Sequence, residues 1–158
     1  MNQITLPAHT ALVAHDTVGP DALREFFDHY YPLLHEFTES VGVLPQAARA
    51  YYFSPPGEAF DIAAGFVIAD EDLDLIAPLI DDIGDGHVSL KRFEEIEAVV
   101  KRVTCAYSDL GAQWDEFAAA TEADGHAVDR LLIEEYVTMG DDQDAPVTDL
   151  FIPLARPQ

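Results

Sequence analysis

The segment Leu131-Leu132-Ile133-Glu134-Glu135-Tyr136-Val137 sets two carboxylates inside an apolar, β-branched run. Strand side chains alternate faces with period 2, so Leu132, Glu134 and Tyr136 share one face and Ile133, Glu135 and Val137 the other. Whichever face turns inward, one acid goes with it. A buried carboxylate is costly, and desolvation raises its pKa. Two arrangements resolve that cost. A planar, apolar cation could supply the missing charge and stack on nearby aromatic faces. Alternatively, Arg130 or Arg49 could pair with Glu134 and simply hold a sheet together.

Other reactive groupings are sparse. The six histidines, His9, His15, His29, His35, His87 and His126, include no pair at a metal-binding spacing, and the single cysteine, Cys105, excludes a cysteine-based zinc site and an internal disulfide. There is no glycine-rich phosphate loop and no nucleophile elbow. Neither a metal nor a cofactor is expected. The aromatics Tyr51, Tyr52, Phe66, Tyr107, Trp114 and Tyr136 are candidates for either core or ligand contact, and Trp114, on a helix face with Leu110 and Phe117, reads first as core.

The composition limits the partners. The 158 residues carry 30 acids against 8 lysines and arginines, a net charge of -22. Direct binding to nucleic acid phosphates requires a basic face, which such a chain lacks. Lysine occurs only at Lys91 and Lys101, and the acids are spread along the sequence, as in proteins that stay hydrated at high salt. A DNA-mimicking surface is the minority reading. The apolar fraction of 49% supplies a core, so this acidity does not signal disorder. No stretch is long and apolar enough to span a membrane, and the start, MNQITLPAHT, is unlike a signal peptide, so a cytoplasmic protein is the default expectation.

The elements that must position these residues form a repeat. Thr10 to Asp16 reads as a strand, Asp21 as the N-cap of a helix carrying Phe26, Phe27, Tyr30, Leu33, Leu34, Phe37 and Val41, and Gly42 as its stop. Pro32 predicts a kink or break within that helix. Ala47 to Phe53 and Ala59 to Ile68 follow as strands around the turn Ser54-Pro55-Pro56-Gly57. The order then recurs. Ile96 to Thr104 is a strand, Asp109 opens a helix that ends at Asp124-Gly125, a strand runs from Asp129 to Val137, and a last strand from Val147 to Leu154 follows the turn Gly140-Asp141-Asp142. His87 to Phe93 reads as an extra strand. Two β-α-β-β units predict an α+β fold, one antiparallel sheet with helices on one side. The whole chain, 1–158, reads as one domain: unit one at about 4–69, an acidic connection at about 70–86, and unit two at about 87–155. A ligand cleft is expected where the units meet, lined by sheet residues facing away from the helices.

In this order and spacing, GPDALREFFDHYYPLLHEFTESVGV, ARAYYF, DIAAGFVIA, KRVTCAYSDL, IEEYVT and TDLFIPL resemble the GyrI-like small-molecule-binding domain, the effector-binding domain of AraC- and MerR-type regulators. The resemblance runs from about Ile4 to Leu154. It implies a cleft between the units lined by aromatics around a glutamate, with Glu134 and Tyr136 matching the family's Glu-x-Tyr. Tyr51 or Tyr52 matches its aromatic in the first unit, and Gly65-Phe66 its glycine-hydrophobic pair. Where the family often has Gly-Pro-Tyr, this chain has Cys105-Ala106-Tyr107, which keeps the tyrosine. The implied function is binding of a small aromatic, cationic molecule for sequestration or effector sensing, with Glu134, Tyr136, Tyr51, Tyr52, Phe66, Tyr107 and Trp114 as ligand contacts. A stand-alone form, without the regulators' DNA-binding segment, is expected, and a protein partner or homodimer is compatible with it. The alternative is hydrolysis of strained cyclopropane-containing electrophiles, with Glu134 as general base and Tyr136 orienting water or substrate. A weaker alternative is protein-type inhibition of a DNA enzyme.

Overall fold

The computed structural model describes residues 2–53, 60–83, 87–104, 109–125, 131–137 and 147–154. Its strands are β1 (Asn2–Leu6), β2 (His9–Val18), β3 (Ala47–Tyr52), β4 (Phe60–Ile68), β5 (Val88–Phe93), β6 (Ile96–Thr104), β7 (Leu132–Tyr136) and β8 (Val147–Pro153). Its α-helices are α1 (Leu23–Ser40), α2 (Leu73–Ile76) and α3 (Leu110–Ala123). All eight strands join one antiparallel sheet in the order β1-β6-β8-β7-β3-β4-β2-β5, curled into a half-barrel. The expected duplication is plain in that order. From the central β3–β7 pair, β3-β4-β2-β5 runs one way and β7-β8-β6-β1 the other.

Both faces of the sheet are dry near its centre, which is why its strands read as nearly continuous apolar runs. On one face Leu12, Ala14, Ala50, Ile62, Ala64 and Phe66 lie under Phe26, Tyr30 and Leu34 of α1. Val99, Val103, Leu150 and Ile152 lie under Phe117 of α3 on the same face. The opposite face carries no helix among the described residues; Ala11, Val13, Tyr51, Ala63, Ile133 and Phe151 fill it, joined by Leu6 and by Phe93 and Ile96. Gly65 in β4 is required by packing, because a Cβ there would collide with the backbone of Leu12 and Val13.

Several sequence expectations shift at element ends. β1 is an additional edge strand paired with β6. Asp21 lies in a 3-10 turn, Pro20–Ala22, and α1 begins after it without a side-chain cap. The helix runs through Pro32 without a break, because the prolyl ring and Asp28, whose carbonyl loses its helical donor, both lie on the exposed side. Gly42 and Gly125, at φ 75° and 84°, take the left-handed conformation that ends α1 and α3. The connection after β4 folds into short turns and α2, burying Ile76 against the α1-side core at the β5 end of the sheet. The turns at 54–57 and 140–142 lie outside the described residues. Among the described residues no helix is long and apolar enough to cross a membrane.

Candidate functional site

β7 places Glu134 opposite Ala50 of β3, so the carboxylate stands on the seam between the units. It faces the helices. The sequence expectation placed the cleft residues on the face away from the helices, whereas this carboxylate lies on the helix side: α1 packs over one half of the sheet and α3 over the other, and the strip of β3 and β7 between them, the furrow, carries Tyr52, Glu134 and Tyr136.

Glu134 is 4% exposed. Three aromatic side chains donate to it. The Tyr136 hydroxyl reaches Oε1 at 2.7 Å and the Tyr52 hydroxyl reaches the same oxygen at 3.1 Å, while the Trp114 indole N–H reaches Oε2 at 2.6 Å. Hydrogen bonds to a charged acceptor contribute about 1.5–3 kcal/mol each. Burial nevertheless dominates and holds the Glu134 carboxyl above its ordinary range, with the bonds from Trp114, Tyr136 and Tyr52 pulling the other way. Burial also raises Tyr52 and Tyr136 well above the usual tyrosine range, and the adjacent carboxylate adds to the rise. Both phenols are therefore protonated donors at neutral pH.

Two further rings from α1 complete the wall. Tyr31 and Phe27 meet Tyr136 edge-on at 5.9 and 6.4 Å. Tyr31 also meets Phe66 edge-on at 5.8 Å and donates its hydroxyl to the Arg49 carbonyl at 2.7 Å. Phe27 and Tyr31 are absent from the sequence-derived set. Their four-residue spacing, which stacks them on one helix face, was the available signal.

The other members of that set divide between the faces. Tyr52 faces Glu134, whereas Tyr51 is fully buried on the helix-free face. There Tyr51 stacks on Phe93 at 4.2 Å and meets His9 Nε2 at 2.9 Å. Burial pushes its phenol up to about 12. Phe66 is a buried core residue beside Tyr31. Trp114 packs at the core margin, as its core reading expects, and also donates to Glu134. Tyr107 and Arg130 lie outside the described residues.

Arg49 pairs with Glu135, not Glu134. Its Nε lies 2.8 Å from Glu135 Oε1 on the helix-free face, and its guanidinium lies 3.2 Å from His9 Nε2 and 5.8 Å from the Phe151 ring centre. The adjacent acids thus have different fates: Glu135 has a cation from the protein, while Glu134 has neutral donors. Burial is the main reason that His9 titrates below its ordinary range. Among the described residues no cluster of His, Cys, Asp or Glu could hold a metal ion.

No protein-family model and no curated relative matches the sequence. Solved structures do match the fold. The C-terminal domain of EcmrR aligns with a TM-score of 0.79 at 13% identity, covering 99% of this chain and 97% of that one. In the EcmrR–DNA complex the same likeness spans 57% of the EcmrR chain. SAV2435, solved bound to tetraphenylphosphonium, aligns at 0.64 with 8% identity, covering 98% and 93%. A hydrolase from Listeria innocua aligns at 0.65 with 16% identity, covering 98% and 91%. The class is a duplicated α+β domain built around a half-barrel sheet. More narrowly, the chain has the fold of a GyrI-like effector-binding domain.

Proposed function

We propose that this domain binds a small aromatic cation in the furrow between α1 and α3, with Glu134 as its charged anchor. One observation carries the reading: a buried carboxylate on the seam between the units, held only by neutral aromatic donors among the contacts described. Such a group is costly in the empty fold and favourable once a cation arrives, since the incoming charge offsets the desolvation that raises its pKa. Each ring face that meets the cation adds about 0.5–2 kcal/mol. Tetraphenylphosphonium, the ligand of SAV2435, has this chemistry: a positive charge on phosphorus enclosed by four phenyl groups. The role is sequestration or effector sensing.

Calorimetric titration of tetraphenylphosphonium into the wild-type chain and Glu134→Gln tests it. Saturable binding by the wild type, weakened at least about tenfold in the variant, is expected. Equal affinities would remove the anchor role.

Hydrolysis is the second reading, favoured by the raised pKa of Glu134 and by the hydrolase among the similar structures. Glu134 would take a proton from water while Tyr136 orients it. Product formation from a strained cyclopropane electrophile, abolished by Glu134→Gln, would support it. The absence of turnover alongside tight binding would leave binding alone.

A further inference from the structure

The two units correspond residue by residue, and the places where the match fails show where a ligand fits. Phe53 N–H donates to the Asp61 carbonyl in unit one, and Val137 N–H donates to the Val147 carbonyl in unit two. These equivalent bonds set an offset of 84 residues between β3 and β7 and of 86 between β4 and β8. The helices begin at Leu23 and Leu110, an offset of 87, which matches buried Tyr30 with buried Phe117 and buried Leu34 with buried Thr121. On these offsets Tyr52 corresponds to Tyr136, Phe27 to Trp114, Phe66 to Ile152 and Ala50 to Glu134.

Tyr31 has no such counterpart. In unit one it is a wedge between α1 and the sheet: its ring touches Tyr136 and Phe66, and its hydroxyl is tied to the Arg49 carbonyl. The corresponding residue of unit two is Ala118, half-buried beside Trp114. Beside Tyr52, the α3 half of the furrow therefore has a methyl group where the α1 half has the Tyr31 ring, while Trp114 stands in the place of the smaller Phe27.

Resting on the binding function proposed above, we infer that the ligand's aromatic group occupies this half of the furrow, against Tyr52 and Trp114, and that Ala118 sets the largest ring system admitted. In this arrangement the cation meets Glu134 at the seam, and its ring takes the place in unit two that Tyr31 takes in unit one. Tyr31 is wall, and Ala118 is the opening.

Calorimetric titration of tetraphenylphosphonium and of the smaller phenyltrimethylammonium tests this with wild type, Ala118→Leu and Ala118→Phe, each variant checked by its unfolding transition. Filling the site should weaken tetraphenylphosphonium binding in order of side-chain size, by about 10- to 100-fold for Ala118→Phe. Phenyltrimethylammonium should lose less than about threefold, well under one decade on the same scale. Should Ala118→Phe not fold, the loss in Ala118→Leu decides. Unchanged affinity for tetraphenylphosphonium in both Ala118 variants, with the wild type binding, would overturn the assignment of Ala118 and leave the binding function standing. A wild type that binds neither cation would instead remove the binding function itself.

Discussion

Ala50 and Glu134 are direct partners across the β3–β7 ladder, a methyl opposite a carboxylate at the seam of a duplicated fold. Tyr52 and Tyr136 each lie two residues beyond this pair on their own strands, and both turn their hydroxyls onto the same carboxylate oxygen. Each unit supplies one tyrosine, and only the second supplies an acid.

The first prediction concerns pH. Glu134 is held above its ordinary value of 4.5 by burial. A carboxyl raised in the folded state favours the fold when protonated. Its contribution is therefore full below the ordinary value and is lost as pH rises through the raised one. The stability of wild type relative to Glu134→Gln should fall as pH rises from about 4.5, the unfolded-state value. Urea unfolding of both proteins at a series of pH values checks this, and parallel curves would sink it.

The donors to Glu134 should be coupled to it. Tyr136→Phe removes a hydroxyl bonded to a buried carboxylate and should cost about 1.5–3 kcal/mol. In the Glu134→Gln background the same change should cost markedly less, since those residues act as a unit. A double-mutant cycle read by chemical unfolding measures the difference. Strict additivity would mean that the short bond carries no net stability.

Thr148 offers a stabilising substitution. It is 1% exposed, and among the described residues its hydroxyl has no hydrogen-bond partner. An unsatisfied buried polar group costs about 1–3 kcal/mol. Thr148→Val keeps the shape and removes that group, so its melting temperature should rise. A lower melting temperature would show that the hydroxyl is satisfied in solution.

Arg49 separates the two faces. Its side chain is 12% exposed and that of Glu135 22%. Arg49→Met leaves Glu135 without this partner and should cost about 3–5 kcal/mol at most, the range for a buried pair. Because the pair lies across the sheet from Glu134, affinity for tetraphenylphosphonium should stay within about threefold. A larger change would mean that the faces communicate.

The surface charge makes a separate prediction. With a net charge of -22, self-repulsion opposes the compact state at low salt. Raising KCl from about 0.1 M, where the screening length is near 10 Å, towards molar concentrations should raise the melting temperature. A salt-independent melting temperature would remove the high-salt reading of the composition.

The repeat was legible because each unit writes its order locally. Short apolar runs such as Ala11–Ala14 and Ile62–Ile68, bounded by turn residues, read as strands buried on both sides, and the stripe through Phe26, Tyr30 and Leu34 reads as a helix. The pairing of Glu134 with Tyr136 was legible for the same reason, since period 2 puts them together. What lay beyond local pattern was the choice of face. β3 carries a tyrosine on each face, so nothing within Arg49-Ala50-Tyr51-Tyr52 tells which tyrosine meets the helices. That is decided by register with β7, a contact 82 residues away in the chain between Tyr52 and Glu134. The edge strand β1 escaped notice because Asn2–Leu6 is short and mixed in polarity. Arg49 reached the neighbouring acid because the ladder pairs it directly with Glu135.

Trp114 is the chain's only tryptophan, and its indole N–H lies on the Glu134 carboxylate. Ultraviolet emission excited at the red edge of protein absorption therefore comes from one fluorophore whose dipole sits in the field of one titrating group. Protonation of that acid, or a cation docking on it, changes the field along the indole and shifts the emission wavelength. The protein carries its own optical voltmeter, wired to the carboxylate that the fold places at its seam.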